Sequence, residues 1–137
     1  MTADLSALIA RLEAAEVGSR ELGHDVLLSL GWHRDQIGNF YGPLYQWSSP
    51  DRSPHFISGD EDKLPNPAIS LDAALALAER VLPGFTWRVQ RHTSGMFDAA
   101  LWADPDDNYV GYGRTPSPAL SLCIAILKAK AQGESNG

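Results

Sequence analysis

The stretch "PALSLCIAILKAKA", residues 118–131, constrains this chain more than any other. At helical spacing Leu120, Cys123, Ile124, Leu127 and Ala131 make one stripe, and Leu122 and Ile126 make the opposite side apolar too. A surface helix needs cover on one face; a helix apolar on two sides needs it on both. This one therefore belongs inside the protein, covered by the fold on one side and by another helix or a second subunit on the other. Its start is marked by Ser117 as cap and Pro118 at the first helical position, where a missing N–H costs nothing.

The rest of the chain supplies the cover. Leu5, Leu8, Ile9 and Leu12 predict a first helix that "VGS" at 17–19 breaks. Ser19 caps a second, with Leu22, Val26, Leu27 and Leu30 inward and Gly31 as its stop. The aromatic-rich segment from Trp32 predicts two short strands, at about 32–37 and 39–47. Ser70 caps a third helix, which Pro83-Gly84 ends. Three strands then follow at about 86–92, 96–104 and 108–114, joined by the turn sequences "TSG" and "PDD" into an antiparallel meander. The order is α-α-β-β-α-β-β-β-α. It predicts an α+β fold with an antiparallel sheet sandwiched between helices, in one domain spanning residues 1–137. Residues 48–69 carry four prolines and the acidic knot Asp60, Glu61 and Asp62, and read as a long irregular loop that meets a partner. Residues 132–137 read as a frayed tail.

Charge and motifs exclude more than they assign. A formal net charge of −6 argues against general binding of DNA or double-stranded RNA, which needs clustered lysine and arginine, although a locally basic face is compatible with it. Cys123 is the single cysteine, so the chain has no internal disulfide, as suits a reducing cytoplasm. The N-terminus lacks a signal-peptide pattern, and no apolar run is long enough to span a membrane. His24, His33, His55 and His92 lack zinc-ligand spacing, and "DPDDN" at 104–108 lacks the glycine and glutamate of a calcium loop. With no G-x-S-x-G and no paired carboxylates, neither a catalytic residue nor a cofactor is assigned.

The helix–strand–strand–strand–helix order with "GYG" before the last helix resembles the layout of double-stranded-RNA-binding domains. Those domains carry lysines at the start of that helix, where this chain has Thr115, Pro116, Ser117, Pro118 and Ala119. Lys128 and Lys130 lie at its other end. What remains is a site for one small anion on Arg114, Thr115 and Ser117 with the free amides of the helix N-terminus. Aromatic side chains exposed beside Arg88, Arg91 or Arg114 would add a stacking surface for a nucleotide or a protein.

Three blocks, "GSRELGHDVLLSLGW" (18–32), "SLDAALAL" (70–77) and "TPSPALSLCIAILKAKA" (115–131), together resemble the phage ABA sandwich domain family. The resemblance implies sheet between helical layers and a phage or prophage protein in a bacterial host cytoplasm. It implies no activity and no site residues. The expected function is that of a non-enzymatic interaction protein binding a host factor, defence proteins among the candidates. A small-molecule or nucleotide-signal sequestering protein and a phage accessory or structural protein fit the same features, and the two-sided last helix suggests a homodimer.

Overall fold

The computed structural model describes residues 2–38, 44–50, 55–57, 64–103 and 109–136. In chain order the elements are α1 (Thr2–Ala14), α2 (Arg20–Ser29), β1 (His33–Gly38), β2 (Leu44–Ser48), β3 (His55–Ile57), α3 (Leu71–Val81), β4 (Thr86–Arg91), β5 (Phe97–Trp102), β6 (Gly111–Thr115) and α4 (Pro118–Asn136). The α+β class and the expected order hold. One short strand, β3, is added within the segment expected to be irregular. The strands form two antiparallel three-stranded meanders, β1-β2-β3 and β4-β5-β6.

The helix boundaries follow local chemistry. Ser19, Ser70 and Ser117 each accept a hydrogen bond from the backbone N–H three residues on, at Leu22, Ala73 and Leu120. α2 closes with Gly31 at φ 96°, where the Trp32 amide donates to Leu27 O and the Gly31 amide to Leu28 O. That paired closure satisfies two carbonyls and turns Trp32 back onto the core.

α4 is the centre of the molecule. One side lies on β5 and β6, and the other meets α1 and α3. Leu120, Leu122, Cys123, Ile124, Ile126 and Leu127 are all fully buried. The chain therefore covers both sides of this helix itself, and the second subunit that its apolarity suggested is not needed for that purpose. The helix also continues to Asn136, through the residues expected to fray.

Contact between α4 and β6 is backbone against backbone. A Cβ added to Gly111 would fall on the carbonyl oxygen of Ala125, and one added to Gly113 on that of Ser121. Two residues along a strand advance about 6.6 Å, and four along a helix about 6 Å. The two glycines of "GYG" therefore match one turn of α4, with strand and helix running in opposite directions.

Around this centre, Leu5, Leu8 and Leu12 of α1, Val26 and Leu27 of α2 and Leu77 of α3 complete the core. Part of the expected 48–69 loop belongs to it as well: Leu64, Pro67 and Ala68 are buried. Asn66 fastens that segment, accepting from the Ala68 amide at 3.0 Å and donating to Ser19 O at 3.4 Å. Asp60, Glu61 and Asp62 lie outside the described residues. The first sheet meets α2 where His24 stacks on the buried Trp47, ring centroids 4.5 Å apart.

Gly113→Ala places a methyl against helix backbone that has no room to yield, at 2.7 Å from Ile124 Cβ as well. Overpacking of this kind costs about 1–3 kcal/mol. Urea denaturation should show a loss in that range or above it, whereas the same change at Gly84, where nothing lies within 4 Å of an added Cβ, should leave the α4 packing intact.

Candidate functional site

Arg114 and Thr115 are neighbours on β6, and strand alternation sends them to opposite faces. Arg114 is exposed; Thr115 is buried beneath α4. The Thr115 hydroxyl donates to Ser117 O at 2.7 Å, accepts from the Ser117 amide at 3.0 Å and lies 2.9 Å from Ser121 Oγ. Ser121 in turn accepts from the Thr115 amide at 2.9 Å and donates to Phe97 O at 2.8 Å, so one serine of α4 ties the end of β6 to the start of β5. The Ser117 hydroxyl caps the helix. Of the residues expected to hold an anion, Thr115 and Ser117 are thus engaged with their own chain, and Arg114 is separated from Thr115 by the strand.

What Arg114 joins is the outer face of β4-β5-β6. The register sets Arg88 opposite Ala100 and Ala100 opposite Tyr112, then Gln90 opposite Asp98 and Asp98 opposite Arg114. Among the described residues no helix or strand packs across this face. Ala100 is nevertheless fully buried, because the long side chains of Arg88 and Tyr112 flank it and the Arg88 guanidinium sits 5.4 Å over the Trp102 ring. Tyr109, half exposed, stacks beside Tyr112 with ring centroids 5.4 Å apart.

Beside this layer lies a polar centre. His92 Nε2 is 2.6 Å from Asp98 Oδ2, and the Tyr112 hydroxyl donates to the same oxygen at 3.3 Å. Asp98 is only 6% exposed, and its Oδ1 is buried with no donor among the described residues. Burial alone would raise the Asp98 pKa. The hydrogen bond and charge of His92, the Tyr112 hydroxyl and the charge of Arg88 outweigh it and hold the carboxyl below its ordinary value. Burial and the neighbouring Asp98 push Tyr112 upward, so it stays a neutral donor.

A histidine on a carboxylate is also the orienting half of a nucleophilic dyad. Among the described residues, however, no hydroxyl or thiol hydrogen-bonds to His92. Cys123 is on the other side of the sheet, its thiol donating to Pro67 O at 3.2 Å and pushed up to about 12 by burial. No three His, Cys, Asp or Glu side chains among the described residues come together to hold a metal ion, and no described helix is long and apolar enough to cross a membrane.

The sequence alone brings Arg88, Arg114, His92 and the strand aromatics into view but does not name Asp98 as the carboxylate that His92 meets. The signal was present: "TSG" as a hairpin turn aligns Gln90 with Asp98 and leaves His92 one step away on the same face, and a lone aspartate amid "MFDAALW" has to find a partner. Comparisons with protein-family models, curated proteins and solved structures give no match for the chain.

Because the folded-state pKa of Asp98 is lowered, its carboxylate stabilises the fold above the ordinary value of 3.8 and loses that contribution as pH falls through the lower, folded value. Asp98→Asn should cost about 2 kcal/mol near neutrality, as expected for hydrogen bonds to a charged group. Urea melts of both proteins from pH 6 downward should converge below pH 3.8. A gap independent of pH would show that the charge of Asp98 contributes nothing.

Proposed function

We propose that the protein is a non-enzymatic interaction protein whose outer β4-β5-β6 face docks an anionic segment of a protein partner. The single observation that carries this reading is the composition of that face. On a chain of net charge −6, Arg88, His92 and Arg114 lie together there with Trp102 and Tyr112. The one carboxylate among them, Asp98, is buried and already bound to His92. Arginine and large aromatic residues are the side chains that dominate protein interfaces, and the stacked guanidinium of Arg88 is held ready rather than ordered on binding. Charge of this sign on an acidic molecule orients approach and selects acidic partners.

The resemblance to phage ABA sandwich domains supplies a setting for this surface. The partner is then a host factor in the bacterial cytoplasm, with a defence protein as one form of it. Nothing in the reading requires catalysis: the face offers fixed donors and ring surfaces, and the His92–Asp98 pair serves to brace Tyr112 and the sheet edge.

Capture from bacterial lysate on immobilised wild-type protein, in parallel with an Arg88→Ala/Arg114→Ala double variant, tests the reading. A specific protein should be held by the wild type, released as salt rises, and bound at least about tenfold more weakly by the double variant. Both changes are at exposed positions and should leave the melting temperature within a few degrees of wild type. Equal retention by the two baits, or no specific retention at low salt, would contradict the reading.

A further inference from the structure

β4 forms one edge of its sheet: it pairs with β5, and among the described residues no strand pairs along its other side. The hairpin fixes where its backbone groups point. The His92 amide donates to Met96 O at 2.8 Å and the Gly95 amide to His92 O at 3.0 Å, so His92 is a bonded position of the β4-β5 ladder. Bonded positions alternate along an antiparallel strand. Gln90, Arg88 and Thr86 therefore bond to β5, and the N–H and C=O groups of Trp87, Val89 and Arg91 point out of the sheet edge. The next strand agrees. Phe97 O reaches β6 through Ser121 Oγ, and Leu101 O accepts from the Val110 amide on that side, which leaves Asp98 and Ala100 for β4.

The usual guards of a sheet edge, proline and bulges, are missing here. β4 has no proline, its register with β5 runs without a shift, and every residue of it except Val89 is exposed. Trp87 is 44% exposed although alternation puts its side chain on the α4 side, opposite the buried Leu101. The apolar layer beneath α4 thus ends on a half-bare indole at this edge. On a chain of net charge −6, β4 carries Arg88 and Arg91 and no acidic residue. Neither arginine enters an ion pair among the described residues.

Resting on the docking reading above, we infer that the anionic segment of the partner binds as an added strand, antiparallel to β4, along this edge. Main-chain bonds to Trp87, Val89 and Arg91 supply the affinity, and side chains select the sequence. Directly opposite residues of an antiparallel pair share a face. The segment therefore places an acidic residue opposite Arg91, apolar residues opposite Val89 and Trp87, and a second acidic residue opposite Arg88. Its two acids are three positions apart and lie on opposite faces of the strand, a spacing that an extended chain can present to this edge.

A capped heptapeptide of Thr, Glu, Thr, Val, Glu, Val and Thr, titrated into the full chain at low salt and followed by amide NMR shifts, tests the inference. Saturable binding should appear with a Kd on the order of 1 mM, as suits so short a segment. The amides of Trp87, Val89 and Arg91 should shift most and gain protection from exchange, while those of Arg88 and Gln90 change less. Replacing both Glu by Gln should weaken binding about fivefold, by loss of two exposed charge pairs. N-methylation of the first Val removes the donor that faces Val89 O and should weaken it about tenfold, with the charge unchanged. Arg91→Glu should weaken the acidic peptide about threefold or more, and an unchanged melting curve checks that this exposed variant is folded. Equal binding of the N-methylated peptide, shifts centred away from β4, or no saturable shift at about 10 mM peptide would overturn the strand mode. Amide shifts at β4 that grow with protein concentration alone would give the edge to a second copy and overturn it as well. A lysate partner that depends on Arg88 and Arg114 but is held equally by Arg91→Glu would overturn this inference and leave the face reading standing.

Discussion

The fold depends on the distance between two backbones. α4 can rest on β6 only because Gly111 and Gly113 present no side chain to the carbonyls of Ala125 and Ser121. That approach brings the core residues of α4 into the sheet and leaves its far side for α1 and α3. Ser121 then binds Thr115 and Phe97 with one hydroxyl, fixing the rotation of the helix against the ends of two strands. A larger residue at either glycine would lift the helix and leave the Thr115 amide buried without an acceptor, a loss of about 1–3 kcal/mol beyond the packing itself.

The same alternation shapes the outer face proposed for partner binding. With glycine, threonine and alanine given to the α4 side, the intervening residues of these strands are free to be long, polar and aromatic. Arg88, Trp102, Tyr112 and Arg114 are there because no second layer of the described fold covers them. Asp98 is the exception that makes the surface rigid: buried by its neighbours, it holds His92 and Tyr112 by one oxygen. The recognition proposed for such a face needs no moving part.

Much of the fold was legible in the sequence. Serine caps and apolar periodicity placed α2, α3 and α4, and the turn residues placed the second meander to within a few positions. The segment before α3 was not, because Leu64, Pro67 and Ala68 carry no periodic pattern and are fastened by long-range bonds, Asn66 to Ser19 O and the Cys123 thiol to Pro67 O. The helix start "RTPS" reads chiefly as a capped packing helix with an anion site as the secondary reading, and local pattern does not decide whether that second role is real. The choice depends on Ser121, six residues from Thr115, and on the face to which Thr115 points. Asp98 is not legible as the partner of His92 for a related reason: hairpin register, rather than sequence proximity, makes them neighbours.

Native-state hydrogen exchange tests the central claim most directly. If the backbone contact of α4 with β6 organises the molecule, the amides of residues 120–129 and of β5 and β6 should open together, with the largest and equal free energies in the chain, at any protein concentration. Exchange of α4 ahead of β6, or protection of α4 that rises with concentration, would contradict the account and return the cover of this helix to a second subunit.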